Sequence, residues 1–203
     1  MILVVGNHRR VTLHPVSRPS TIATMTEAEY LEYERTHEGK HELVNGEVLA
    51  MSGVSPAHNR IQVNAIVALG SRLGRGPCQV NASDLRVRLD ETGLYAYPDL
   101  TIVCGEPVFA PTTPVTLLNP RVVIEVLSET TEDYGRGAKA AHYRHRASVE
   151  LLLLVDSRRR LVERQQRNAD GTWTLSEHTS GAVRVLDLEV PIDELYAGVE
   201  LSG

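Results

Sequence analysis

The sequence is nearly without lysine. Of its 21 basic side chains only two, Lys40 and Lys139, are lysines. A chain this biased uses arginine wherever a plain surface cation suffices. Each lysine is then either a chance survivor or a place that needs a compact ammonium with an adjustable pKa, and composition weighs the two equally. Cysteine is as scarce. Cys78 and Cys104 stand far apart with no CxxC spacing, so they are expected to form neither a disulfide framework nor a zinc knuckle, which points to a reducing cytoplasm. Long apolar runs are missing too. The longest aliphatic stretch, Leu151 to Val155, is far short of a membrane span. The opening MILVVGNHRR has too short an apolar core for a signal peptide. There is no Walker motif, no GxGxxG after a strand, no internal repeat and no low-complexity segment. The Gly70-Ser71 pair in LGSRLGRG is not followed by a DxD, which sets aside a nucleotidyltransferase. Basic excess is also lacking. A net charge of −5 argues against a non-specific nucleic-acid coat protein but is compatible with an enzyme carrying a basic surface around an acidic site.

What is present fits one domain of 203 residues with an ordinary 42% apolar content. Residues 1–24 carry Arg9, Arg10 and Arg18 and no acid, and read as a loose arm or an over-extended start before Met25; residues 25–203 form the domain. Thr26 and Glu29 have capping-box spacing for a helix. HELVNGEVLAM is a hairpin turning at Asn45-Gly46. Ile61, Ala65, Leu69 and Leu73 mark one face of an amphipathic helix. CQVNASDLRVRLD reads as a strand, bent or bulged near Ser83; YPDLTIVCG, VVIEVL, VELLLLVD, RRRLVERQQR and TWTLSEH read as further strands, the last with Trp173 in a packing role. TTEDYGRGAKAAHYRHR is a helix despite two glycines, and PIDELYAG closes the chain as a short one. The sum is an α/β or α+β fold, a central mixed β-sheet flanked by helices.

Three acids interrupt or open apolar strands: Glu42 at the first hairpin, Asp99 after Pro98, and Glu125 inside VVIEVL. Each alone also fits a strand-end charge, a turn residue or half of a buried ion pair. Gathered in one place they could not all ionise cheaply. A hard divalent cation with oxygen ligands removes the difficulty, and a lysine beside it would steady a charged transition state.

In this arrangement the chain resembles the PD-(D/E)XK nuclease superfamily, through Glu42, Pro98-Asp99 and Glu125-Val126-Leu127. From about Met25 to the C-terminus it is similar to one of its families, Uma2 (DUF820), described as restriction endonucleases. The stretches that carry the likeness include EGKHELVNGEVLAMSG, GLYAYPDLTIVCG, NPRVVIEVLSETTE and YGRGAKAAHYR. The resemblance implies a restriction-endonuclease-like core and a Mg²⁺-dependent DNA endonuclease, with Mn²⁺ as a substitute. It implies metal held by Glu42, Asp99 and Glu125, with Lys139 assisting from the helix after the strand because Leu127 stands where the superfamily has its lysine. By analogy it implies a homodimer.

The chain lacks the acids that usually lie four residues and one residue before that lysine, having Gly135 and Ala138 there. That departure keeps open a second class, a non-catalytic nucleic-acid-binding or assembly protein on the same fold; a small-molecule phosphoesterase with a closed pocket is a third. Around the core, His58, Arg136, Tyr143 and Arg144 are candidate substrate contacts. Arg136, Lys139 and Tyr143 share a helix face by spacing, and an ordinary solvated basic face would look the same. For His58 a structural role at a helix start is the better fit than a place in the cleft. Gln79 and Ser83-Asp84 are weaker candidates for the border of the site.

Overall fold

A computed structural model describes residues 20–51, 53–89, 93–112, 114–129 and 131–201. In chain order its elements are Thr21–Thr24 (β1), Glu27–Thr36 (α1), His41–Val44 (β2), Glu47–Ala50 (β3), Pro56–Leu73 (α2), Cys78–Ala82 (β4), Arg86–Leu89 (β5), Leu94–Ala96 (β6), Leu100–Cys104 (β7), Phe109–Ala110 (β8), Thr116–Leu117 (β9), Val122–Leu127 (β10), Glu132–Tyr134 (α3), a π-helical turn Gly135–Lys139, Ala140–His145 (α4), Leu151–Asp156 (β11), Val162–Arg167 (β12), Trp173–His178 (β13), Ala182–Val185 (β14), Leu188–Pro191 (β15) and Ile192–Leu195 (α5). Most of the expected N-terminal arm lies outside the described residues; its last four form β1, paired antiparallel with β3.

The strands divide into two sheets and a small hairpin. One sheet runs β13-β12-β11-β10-β7-β4, the other β1-β3-β2-β6-β5-β9-β8, and β14-β15 pair alone. The expectation of one central sheet is met by two because the chain passes repeatedly from one sheet to the other. CQVNASDLRVRLD is not one bent strand. It ends in the first sheet at Ala82 and resumes in the second at Arg86. The return runs through Tyr97-Pro98-Asp99, between β6 of the second sheet and β7 of the first. Proline has no N–H to give to a ladder, which suits such a crossing point.

β10 lies inside the first sheet, antiparallel to β7 and parallel to β11. Its side chains alternate between two cores, as strand geometry requires. Val122, Ile124 and Val126 pack with Ile61, Ala65 and Leu69, the expected stripe of α2. Val123 and Leu127 face the other way, onto Tyr134, Ala140 and Tyr143 of the crossover to β11. Glu125 belongs to this second face.

Local sequence signals explain the supports. Thr26 and Glu29 form the capping box of α1, and Ser55 caps α2 by accepting the His58 N–H. Asn45 and Gly46 hold φ of 51° and 85°, the left-handed pair that a two-residue hairpin between Val44 and Glu47 needs. No helix among the described residues is long and apolar enough to cross a membrane. The cysteines, read from spacing as unpaired, are a correction. β4 and β7 bring Cys78 opposite Cys104, and the two are disulfide-bonded. Register between strands, invisible in the spacing, made the pair, and cysteine usage therefore no longer argues for a reducing compartment.

Candidate active site

The three acids come from three different elements. Glu42 sits on β2 of the second sheet. Asp99 ends the crossing between sheets, and Glu125 sits on β10 of the first. The β7–β10 register pairs Leu100 with Ile124, so its next step sets Asp99 against Glu125. Val126 N–H donates to Asp99 Oδ2 at 2.7 Å, fixing that carboxylate at the strand end. All three acids and Lys139 line one cavity of about 380 Å³. Each is buried, with exposures of 3% for Glu42, 9% for Asp99, 7% for Glu125 and 6% for Lys139.

Lys139 ties two of the acids together. Its Nζ lies 2.8 Å from Glu42 Oε1 and 2.9 Å from Glu125 Oε1. Tyr143 OH donates to the same Glu125 oxygen at 2.7 Å, and Tyr134 OH donates to Glu42 Oε2 at 3.1 Å. The backbone N–H of Tyr97 also reaches Glu42 Oε1, at 3.3 Å. Asp99 has a separate partner: His58 Nε2 stands 3.2 Å from Oδ2. His58 Nδ1 is buried with no hydrogen-bond partner among the described residues.

The π-helical turn makes this convergence. Ala140 N–H reaches back to Gly135 O, five residues earlier. A wider turn of this kind brings residues i and i+5 onto one side, where an α-helix would splay them. Tyr134 and Lys139, five apart, thereby both meet Glu42. Lys139 and Tyr143, four apart on the α-helical continuation, both meet Glu125. Gly135 allows the turn to sit against β10, since a Cβ there would come within 2.6 Å of Leu127 Cδ2. Such turns are frequent at functional sites.

The electrostatics follow from crowding and burial. Burial pushes the Glu125 carboxyl up to about 7; Lys139 opposes the shift, while Asp99 and Glu42 add to it. Burial would pull the Lys139 ammonium down, but Glu125 and Glu42 outweigh it and hold it well above the usual lysine range. Burial, reinforced by Glu125 and Glu42, raises the Tyr143 phenol well above its ordinary value, so it stays a donor.

Other expected contacts land differently. Tyr143 is fully buried, so it orients Glu125 and does not meet a phosphate backbone. Arg136 turns away from the cavity into pairs with Glu132, Asp156 and Glu163. Arg144 donates to Gln165 Oε1 at 2.7 Å. The shared face read for Arg136, Lys139 and Tyr143 assumed α-helical angles, which the π turn changes. Gln79 pairs along the β4 edge with Val103, and Ser83 O with Asp84 holds Lys40; none of these lines the cavity. Tyr134 was missed, because only the π turn puts it beside Lys139. Gln62, whose amide donates to Asp99 O at 3.0 Å, was missed as well. Its place beside His58 on the α2 stripe was the available signal.

The fold that carries this cleft has a solved counterpart. The crystal structure of "a putative nuclease belonging to DUF820" from Anabaena variabilis superposes with a TM-score of 0.65 at 15% identity, covering 82% of this chain and 97% of that one. The fold is therefore that of this nuclease-like class. The chain itself belongs to the Uma2 family, described as "Putative restriction endonuclease", whose model matches residues 27–197. It is also 31% identical to the uncharacterized Synechocystis protein slr1290 over 174 residues, 84% of this chain and 90% of that protein. A second uncharacterized Synechocystis protein, sll1609, is 31% identical over 158 residues, 78% of this chain and 89% of that one.

Proposed function

We propose that the protein is a Mg²⁺-dependent endonuclease that hydrolyses phosphodiester bonds in DNA. One observation carries the reading: Glu42, Asp99, Glu125 and Lys139, distant in sequence, share one buried cavity. Three ionised carboxylates against one ammonium would leave two uncompensated negative charges in low dielectric, and a divalent cation matches that deficit.

The donor chemistry fits such an ion in a specific way. Among the described residues no group of three or more His, Cys, Asp and Glu side chains is arranged to hold a metal. Two carboxylates are arranged with an oxygen to spare. Asp99 Oδ2 takes Val126 N–H and His58, and Glu125 Oε1 takes Lys139 and Tyr143; the hydrogen bonds among the described residues leave Asp99 Oδ1 and Glu125 Oε2 open. Mg²⁺ commonly binds through one or two carboxylates and keeps several waters. When bound it would lower the pKa of one such water and offset charge on a phosphoryl oxygen. The chain supplies the rest. Tyr143 and Val126 N–H hold the two carboxylates in place, and the Lys139 ammonium stands where added negative charge would develop. A homodimer, presenting two such clefts, is part of the same proposal.

The test is nicking of plasmid DNA with and without Mg²⁺ by wild type, Asp99→Asn and Lys139→Arg. We expect metal-dependent nicking by wild type only. Arginine is larger and flat, and misplacing a reacting group by about 1 Å can cost on the order of 100-fold in rate. Full activity of Lys139→Arg would reduce Lys139 to a phosphate contact. Absence of nicking by wild type on any nucleic acid would favour the second reading, a non-catalytic nucleic-acid-binding protein, which the missing acids at Gly135 and Ala138 support.

A further inference from the structure

We infer that Glu42 is a positioning residue for Lys139 and not a ligand of the metal. The inference rests on the nuclease reading for its place in catalysis, but its structural content stands apart from it. Glu42 Oε1 takes Lys139 Nζ at 2.8 Å and Tyr97 N–H at 3.3 Å, and Oε2 takes the Tyr134 phenol at 3.1 Å. Both oxygens of this buried side chain are thus engaged by donors, whereas Asp99 and Glu125 each keep one open. The donors are also fixed. Tyr97 N–H belongs to the chain that crosses between the sheets, and Tyr134 is set by the π turn that also sets Lys139.

Glu42 also comes from the other sheet. Asp99, just before β7, lies beside Glu125 of β10, while Glu42 comes from β2 of the other sheet. Lys139 spans that gap with one contact to each side. A lysine side chain has four rotatable bonds and no rigid fork, so one carboxylate alone would leave its ammonium a range of positions. A second carboxylate on the opposite wall narrows the range. Glu42 therefore sets where the ammonium stands relative to Glu125, and Tyr134 sets Glu42. This division of labour explains why three acids converge although only two have oxygens free for an ion.

The experiment uses the near absence of lysine. In protein labelled with ¹⁵N-lysine, only Lys40 and Lys139 contribute side-chain ammonium signals. Lys139, buried and held by two carboxylates, should give one slowly exchanging NH₃⁺ resonance in wild type. Glu42→Gln should broaden or abolish that resonance and cut nicking at least tenfold through kcat. The Mn²⁺-induced rise in melting temperature, about 5–10 °C when free metal is a hundredfold above Kd, should survive. Asp99→Asn should do the reverse: keep the resonance and lose the rise. Tyr134→Phe removes a single hydrogen bond and should weaken the resonance in the same sense as Glu42→Gln, which keeps the test available if the glutamine variant does not fold. Loss of the Mn²⁺ response in Glu42→Gln would overturn the inference by making Glu42 a ligand. An unchanged resonance in both Glu42→Gln and Tyr134→Phe would overturn it by removing the positioning role. If wild type cuts no nucleic acid, the nuclease reading fails alone, because the resonance and the metal response still report on Glu42.

Discussion

Replacing Lys139 with methionine tests the electrostatic core of the site. The substitution keeps an unbranched side chain of similar length and removes the charge. In the wild type the ammonium touches Glu42 and Glu125, both buried. Removing one partner of a buried ion pair costs about 3–5 kcal/mol when the remaining charge has no other partner. For a domain of this size each kcal/mol moves the melting temperature by about 2–4 °C, so the variant should melt about 10 °C lower near pH 8. The deficit must also depend on pH, with a definite sign. Glu125 already titrates at about 7 in the folded protein, above its usual 4.5, with Lys139 working to lower it. Without the ammonium its folded pKa rises further. A carboxyl that holds its proton more tightly folded than unfolded gives stability below the unfolded pKa and loses it as pH rises through the folded one. The deficit of Lys139→Met should therefore be smallest between pH ~4.5 and ~7, where Glu125 holds its proton in both folded proteins, and grow as the pH rises above ~7. Thermal unfolding followed by far-ultraviolet circular dichroism across that range measures it. An equal deficit at both ends, or none at pH ~8, would refute the placement of Lys139 between the two acids.

The two glycines of the π turn should respond in opposite directions. Gly135→Ala drives a Cβ to 2.6 Å from Leu127 Cδ2 and should destabilise by about 1–2 kcal/mol, whereas at Gly137 nothing among the described residues lies within 4 Å and alanine should stabilise by about 0.5–1 kcal/mol. Urea unfolding of both variants checks the sign of each. Arg136→Ala should behave as a structural change. It removes pairs with Glu132, Asp156 and Glu163 and should cost about 2 kcal/mol, while DNA affinity at fixed salt, followed by fluorescence anisotropy, stays the same. A loss of affinity without a loss of stability would return Arg136 to the nucleic-acid surface.

Much of the fold was legible because its signals are local. The capping box at Thr26 and Glu29, the Asn45-Gly46 turn and the α2 stripe of Ile61, Ala65 and Leu69 each rest on short-range geometry, and each is found where the pattern sets it. What stayed hidden is long-range. That β4 and β5 belong to different sheets is decided by which edge each strand finds, and CQVNASDLRVRLD carries no mark of it beyond the turn at Ser83. The disulfide is the same kind of fact: Cys78 meets Cys104 only because the β4–β7 ladder has that register.

At the site, the residue types were legible and the connections were not. An acid within VVIEVL is conspicuous because a buried carboxylate needs a partner, and Lys139 is conspicuous because the chain so rarely uses lysine. Which neighbour completes each of them depends on a helix that does not keep α-helical angles. On a uniform α-helix, spacing groups Arg136 with Lys139 and Tyr143, yet Arg136 pairs with Asp156 and Tyr134 takes the inward place. The glycines at 135 and 137 weaken the α-helix where it has to widen, and a larger residue at the first of them would have to displace the Leu127 side chain. The same two glycines that loosen the helix in a propensity count thus let Lys139 reach both walls of the cleft. Gly135 also stands where the resemblance to the family leads one to expect an acid. Its conformational role and the loss of that carboxylate are consequences of one residue, so restoring an acid there would disturb the turn that presents the lysine.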